Sequence, residues 1–332
     1  MLSGYLSLNS GEVIDVNEHE SILDAALRND LFIEYSCRNG QCGACKTQVT
    51  SGNTFVIHEE LSLTEEELLS GLVLSCCRGV AGDVGINAEN LTELKGIKKI
   101  TGPCKIDSLV RYAVDVVEVV LRTPPSSVIE FLPGQYIDII GPNGVRRSYS
   151  IANAPMENGR LRLFVKKVEG GVFSEYWFNS AKVNDLLRFE GPLGTFYLPK
   201  NNKKHLVLLA TGTGIAPIQA ILEGLVLNPD KNTFDSVTLF WGGRYESDIF
   251  KTMDFDLENY KFIPVLSRKD GVEGAYYGYV QDAVLAQNID LTDSLVLACG
   301  AIEMIKSSAK TLIANGLSKS AYKSDAFVSS LY

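Results

Sequence analysis

Three cysteines sit on one short stretch, Cys37-Arg38-Asn39-Gly40-Gln41-Cys42-Gly43-Ala44-Cys45, with the spacing C-x4-C-x2-C. A fourth, Cys76, follows in Leu74-Ser75-Cys76-Cys77. This is the spacing of a plant-type [2Fe–2S] site. Two sulfide-bridged irons need four thiolates around a compact centre. One tight loop can deliver three of them and a strand end the last. Gly40 and Gly43 suit such a loop, because a residue without Cβ lets backbone N–H groups approach the sulfurs. Zinc would call for two C-x-x-C pairs or a Cys/His mixture, and only one C-x-x-C is present. A redox dithiol would use Cys42 and Cys45 but leave Cys37 idle. Cys77 directly follows Cys76. In an extended backbone their side chains point to opposite faces, so only one of the two can face metal.

A second group of chemistry-bearing residues lies in the middle of the chain. Arg147-Ser148-Tyr149-Ser150, preceded by Arg146, reads as a strand. Alternation puts Arg147 and Tyr149 on one face and Ser148 and Ser150 on the other. Arg147 can fork onto a phosphate, and Tyr149 offers a flat surface to a flavin or its ribityl chain. Gly170-Gly171-Val172-Phe173-Ser174 leads into a helix N-terminus, a natural phosphate site. Gly191-Pro192-Leu193-Gly194 reads as a tight turn.

A third group follows an apolar strand at 205–210. Thr211-Gly212-Thr213-Gly214-Ile215-Ala216-Pro217 joins that strand to a helix. Glycines at 212 and 214 allow backbone approach to a pyrophosphate, and Pro217 is placed to open the helix. No Gly-Lys-Ser/Thr follows, so this is no Walker loop. Arg244, after Trp241-Gly242-Gly243, could meet an adenosine phosphate or be solvated. Glu246 and Asp248 would repel a 2′-phosphate, favouring NADH over NADPH. Cys299-Gly300 ends a later strand facing the same crevice; its thiol is placed for the nicotinamide or is a small buried hydrophobe. Phe327 either covers a flavin ring or closes the core. His19, His58 and His205 are not spaced as ligands, and no hydrolytic triad or nucleophile elbow is present.

The elements that must hold these residues fall into three blocks. Residues 1–92 read strand, strand, helix from Ser21, cysteine loop, strand at 46–49 and a helical turn at 65–69, the order of a small β-grasp module. Residues 93–102, rich in lysine and glycine, read as a linker. Residues 103–200 are strand after strand: 112–122, 135–140, 148–152, 161–167 and 186–189. Turn signals at Pro124-Pro125, Pro133-Gly134, Pro142-Asn143-Gly144 and Glu157-Asn158-Gly159 separate them, which argues an antiparallel barrel. Residues 201–332 alternate strands (205–210, 237–241, 262–266, 294–298) with helices (through 227, then 248–259, 280–287 and 302–315). That alternation means an open parallel α/β sheet, with ligands at the carboxyl ends of its strands. The expected class is thus a multidomain α+β and α/β chain.

The 332 residues suffice for two or three cores. No apolar run approaches the ~18 residues of a membrane span. The first five residues lack the basic and apolar regions of an export signal, and seven cysteines, four assigned to metal, suit a reducing cytoplasm. Residues 1–90 hold fourteen of the 40 acidic and only four of the 31 basic residues. The excess acid lies on the cysteine-rich block, either as a solvated surface or for docking a basic electron acceptor. Nucleic acid is not an expected partner.

In sequence order, Cys37/Cys42/Cys45/Cys76, Arg147-x-Tyr149-Ser150, Gly212-Thr213-Gly214-Ile215-Ala216-Pro217 and Cys299-Gly300 resemble the ferredoxin–NADP reductase superfamily with an N-terminal ferredoxin domain. The resemblance covers essentially the whole chain. Cys76 is preferred over Cys77 because Leu-x-Cys is the context of the last ligand in ferredoxins. The resemblance implies FAD, with Arg147 on its pyrophosphate, Tyr149 and Ser150 at the isoalloxazine and the 171–174 turn on the phosphates. It implies a route from NADH through FAD and the cluster to a separate protein. Two groups share this arrangement: reductases of ring-hydroxylating oxygenases, and reductases serving pyridoxamine-phosphate-dependent CDP-4-keto-6-deoxyhexose 3-dehydrases in 3,6-dideoxyhexose synthesis. Pro103-Cys104-Lys105, 133–137, 146–154 and Ser324-Asp325-Ala326-Phe327 resemble the second group; Trp241-Gly242-Gly243-Arg244 is more like the first. A non-catalytic electron carrier with a degenerate nucleotide domain is the reading from another class.

Overall fold

Polar–apolar alternation on either side of Gly11 produces an antiparallel hairpin of β1 (Leu2–Leu8) and β2 (Val13–Asn17). The computed structural model describes residues 2–125, 128–141, 144–156, 158–268 and 273–328. The turn signals at 142–143 and 157 therefore lie outside the described residues. By internal contacts the chain divides into residues 1–97 with 194–196, and residues 98–193 with 197–332.

In the first unit, α1 (Ile22–Arg28) starts where Ser21 Oγ accepts the Asp24 N–H at 3.0 Å. Its apolar face of Ile22, Leu23, Ala25 and Ala26 is fully buried. β3 (Lys46–Val56) runs well past the expected 46–49 and is followed by α2 (Glu65–Leu69), β4 (Leu72–Leu74) and β5 (Arg78–Asn87). The sheet order is β2-β1-β5-β3-β4, with β1 and β5 parallel. One core joins Leu6, Val16, Ile22, Leu23 and Ile86 to Cys45, Cys76 and Cys77, so the cysteine loop rests on the edge of the packed interior.

The second unit opens with β6 (Ile100–Ala113) and β7 (Val116–Arg122). The single strand expected over 112–122 is instead split: the chain reverses at Val114-Asp115, and β6 pairs antiparallel with β7. No glycine or proline marks that reversal. β8 (Tyr136–Ile140), β9 (Arg146–Ser150), β10 (Arg160–Lys166), α3 (Val172–Glu175) and β11 (Leu186–Leu193) complete a sheet of order β10-β7-β6-β11-β8-β9. The bridge Ile151↔Leu163 and the Ala152 N–H to Arg162 carbonyl bond (2.7 Å) join the end of β9 to β10 and close the barrel. Gly191–Leu193 is not the tight turn expected: β11 continues through it with a register shift between Glu190 and Leu193.

The period changes at β12 (His205–Thr211). There follow α4 (Ile215–Leu227), β13 (Ser236–Gly243), β14 (Tyr260–Leu266), β15 (Tyr276–Tyr277), α5 (Val280–Ala286), β16 (Ser294–Ala301), α6 (Ile302–Ala314) and β17 (Tyr322–Phe327). All six strands are parallel, ordered β15-β14-β13-β12-β16-β17. The chain starts at β12, winds outward through β15, then returns to β16. The order reverses between β12 and β16, and ligands bind at such a switch point.

The helix expected over 248–259 does not form. Asp248 turns back, its Oδ2 accepting the N–H groups of Arg244 (2.7 Å) and Tyr245 (3.1 Å). Phe250 meets the rings of Trp241 (4.9 Å) and Phe164 (5.5 Å), and Met253 is buried. Those anchors hold the segment as an irregular strap. Among the described residues no helix is long and apolar enough to cross a membrane.

Candidate functional site

The four cysteines predicted as ligands come together in two pairs. Cys42 N–H points at Cys37 Sγ (3.3 Å), Cys37 N–H at Cys42 Sγ (3.5 Å) and Ala44 N–H at Cys42 Sγ (3.5 Å). Cys45 and Cys76 place their sulfurs 3.3 Å apart. Among the described residues, no three or more His, Cys, Asp or Glu side chains converge on a single ion. Two pairs of thiols are what two irons need, and a single tetrahedral zinc would need one quartet. The residues therefore fit a [2Fe–2S] cluster. Cys37 and Cys42 are half-buried whereas Cys45 and Cys76 are enclosed, so one side of the site faces outward. Within each pair one thiol donates to the other. Hydrogen bonds from Cys42 and from Cys45 hold Cys37 and Cys76, respectively, below the ordinary thiol range, and the donors are raised in turn.

The expectation that Cys77 points away from Cys76 is corrected. Residues 75–77 form a turn closed by the Cys77 N–H to Leu74 carbonyl bond (2.8 Å), not an extended strand. The two sulfurs consequently lie 3.5 Å apart on the same side. Sequence reasoning also missed Glu60, which carries no spacing signal. Its nearly buried carboxylate accepts the Leu74 N–H (2.7 Å) and the Arg78 guanidinium (2.6 Å), pinning both sides of the Cys76 turn. Removing one partner of a buried ion pair leaves the other uncompensated. Glu60→Ala is expected to destabilise this unit by about 3 kcal/mol, read as a lower melting temperature and faster loss of iron.

On the barrel, Arg147 and Tyr149 do share a face. They lie opposite Ile139 and Ile137 across β8–β9, while Ser148 bonds Asp138 on the other side and Ser150 is buried. α3 packs against that first face. Tyr149 lies 6.4 Å from the Phe173 ring, and its hydroxyl accepts the Trp177 indole N–H at 2.9 Å. Trp177 was missed, although it stands four residues after Phe173, the spacing of one helix face. Burial raises the Tyr149 phenol, which stays neutral. Gly171 caps α3 without a side-chain hydrogen bond, and Val172 is exposed. Ser174 Oγ is engaged, accepting the Val168 N–H at 2.8 Å, and so braces the glycine loop. A guanidinium, an aromatic face and uncapped helix amides form a donor set suited to a flavin dinucleotide.

At the switch point, Gly212 has φ +55°, and a Cβ there would enter open space in front of the loop. Gly214 is the opposite case: its Cβ would overlap the Cys299 carbonyl oxygen. Bare backbone at 212 is thus left open, as close approach of a pyrophosphate requires, while 214 lets α4 seat against β16. Trp241 Nε1–H donates to the Gly212 carbonyl (3.1 Å), and Thr211 Oγ1 accepts the Ala301 N–H (3.1 Å), locking the loop to both neighbouring strands. Pro217 lies in the first turn of α4, where its missing N–H costs no helix bond. Cys299 is fully enclosed, and burial with the nearby Asp325 raises its thiol far above the ordinary range. Arg244 is exposed. Phe327 is 38% exposed, so it does not close the core. The barrel and sheet are fastened by Gln219 and Glu223 of α4, also missed. Gln219 Nε2 donates to the Ala152 carbonyl (2.8 Å), and Glu223 accepts from the Ala154 N–H (3.1 Å) and Arg162 (2.8 Å).

Comparison with known proteins gives the same three parts in the same order. Residues 7–80 match the 2Fe-2S iron-sulfur cluster binding domain, 103–197 the oxidoreductase FAD-binding domain and 208–310 the oxidoreductase NAD-binding domain. The chain is 41% identical to the CDP-6-deoxy-L-threo-D-glycero-4-hexulose-3-dehydrase reductase of Yersinia pestis over 97% of each chain. It is 30% identical to the terephthalate 1,2-dioxygenase reductase component 1 of Comamonas sp, covering 94% of this chain and 93% of that one. Among solved structures, the Amycolatopsis cytochrome P450 reductase GcoB superposes with a TM-score of 0.75 at 27% identity, covering 98% of each chain. With its paired thiols, barrel face and switch-point loop in this order, the chain belongs to the ferredoxin–NADP reductase superfamily of oxidoreductases that carry an N-terminal [2Fe–2S] domain.

Proposed function

We propose that this reductase delivers electrons from NADH to a CDP-4-keto-6-deoxyhexose 3-dehydrase in 3,6-dideoxyhexose synthesis. The observation that carries the reading is the 41% identity, over 97% of both chains, to a reductase named for such a dehydrase. Bound FAD would supply the chemistry that links a two-electron hydride donor to a one-electron cluster. The polypeptide supplies position and charge. Arg147 would hold the FAD pyrophosphate, Tyr149 would face the isoalloxazine with Ser150 at the end of β9 beside it, and the 171–174 turn would meet the phosphates. Thr211, Gly212 and Arg244 would receive NADH, with Gly214 and Pro217 seating the loop and the start of α4 beneath it; Phe327 would lie against the flavin, and Cys299 would back the nicotinamide pocket. The outward Cys37/Cys42 side, on a unit carrying all the excess acid, suits an acceptor with a basic face.

The test mixes the purified protein with NADH, a candidate dehydrase and its CDP-4-keto-6-deoxyhexose substrate. Formation of a 3-deoxy product supports the reading; none, with NADH-dependent dye reduction intact, counts against that partner. Service to a ring-hydroxylating oxygenase is the second reading, favoured by Trp241-Gly242-Gly243-Arg244 and by the terephthalate dioxygenase relative. Arg147→Ala is expected to weaken FAD retention about tenfold or more, the value of a lost hydrogen bond to charge. FAD content after dialysis measures it, and unchanged content would refute the role.

A further inference from the structure

Cys77 is one residue beyond the fourth ligand, fully buried, and used by none of the roles above. Its backbone is fixed on both sides: its N–H donates to Leu74, and its carbonyl accepts from Ile57 (2.8 Å) and His58 (3.2 Å). Its sulfur has two acceptors in reach, Cys76 Sγ at 3.5 Å and the Glu59 carbonyl at 3.6 Å. Gly40 makes this possible. It has φ +78°, and a Cβ there would overlap the Glu59 carbonyl and come within 3.0 Å of Cys77 Sγ. The cluster loop is thus bare where the fifth thiol sits against it.

An iron-bound Cys76 is a thiolate and can only accept. The one proton between the two sulfurs then belongs to Cys77. Hydrogen bonds to cluster sulfurs offset negative charge, and the reduced cluster carries one charge more than the oxidised one. We propose that Cys77 is a positioning residue whose S–H donates to Cys76 Sγ and thereby favours the reduced cluster. The inference rests on Cys76 being an iron ligand.

The test compares the full-length parent protein with Cys77→Ala and Cys77→Ser, each reconstituted with iron and sulfide and titrated by visible absorbance and electron paramagnetic resonance. In Cys77→Ala the reduced-to-oxidised ratio at fixed potential is expected to fall about three- to tenfold, at 59 mV per tenfold for one electron. Cys77→Ser keeps a donor and is expected to recover most of that shift, which a cavity or packing effect would not do. A brown alanine variant with the parent's midpoint overturns the proposal, as do equal shifts in both variants. A colourless parent would instead sink the cluster reading itself. In the parent, the infrared S–H band that disappears in Cys77→Ser is expected to shift to lower frequency when the cluster is reduced. A band indifferent to reduction means the proton goes to Glu59 alone, and overturns the proposal without relying on any variant's midpoint.

Discussion

Cys42→Ser is expected to abolish delivery of electrons to one-electron protein acceptors while NADH-driven dye reduction through the flavin survives. Cys42 has two jobs at the site. Its sulfur pairs with Cys37 and receives the N–H groups of Cys37 and Ala44, and its own N–H points at Cys37 Sγ. Serine keeps the backbone amide and removes the soft thiolate. Loss of a mere supporting group around a metal costs about 10–100-fold, so loss of a direct ligand should exceed that. Two assays on one preparation decide the matter: NADH-dependent reduction of a two-electron dye, and of an iron–sulfur or haem protein. The dye rate should stay within about twofold, because the thiol site and the Arg147/Tyr149 face belong to separately packed units. An equal fall in both rates, in a folded variant, would show that the two steps are not separable.

Gly214→Ala carries the second large effect, on NADH rather than on the acceptor. The added methyl would overlap the Cys299 carbonyl, and both backbones are held firmly. β12 and β16 pair from His205 opposite Ser294 to Ala210 opposite Cys299. Relief must come from lifting the 211–214 loop or the start of α4 away from the crevice. Inserting volume into a packed site costs about 1–3 kcal/mol. A displacement of about 1 Å at a site that orients a reacting group can cost ~100-fold in rate. We expect kcat/KM for NADH to fall by about that factor, with FAD content unchanged. Gly212→Ala is the control: its Cβ meets no protein atom, so stability should change little beyond the strain of a positive φ, while NADH binding should still weaken.

Much of this site was legible because its signals are local. Four thiols at ligand spacing, a glycine loop between a strand and a helix, and an Arg-x-Tyr-Ser strand each carry their geometry within a few residues. What failed was long-range or depended on a single backbone bond. The 248–259 segment spaces Phe250, Met253 and Leu257 three and four apart, as an amphipathic helix would. Ring contacts to Trp241 and Phe164, from other parts of the fold, outweighed that pattern. The hairpin at 114–115 had no turn residue to announce it. The Cys76-Cys77 turn hangs on the Leu74 carbonyl, which no periodicity records. Glu60, Gln219 and Glu223 were invisible for a related reason: a lone acid or amide has meaning only once its distant partners are placed.

The Gln219/Glu223 fastening bears on how such chains can be cut and recombined. Severing the chain near residue 200 would strip the Ala152 carbonyl and the Ala154 amide of their partners in one stroke and leave the Arg162 guanidinium with Glu118 alone. The nucleotide half would in turn present a carboxylate and an amide where it had a mate. A chimera that swaps only the C-terminal sheet for a relative's must therefore import residues matching 152–154 and 162, or it inherits a seam with nothing to grip.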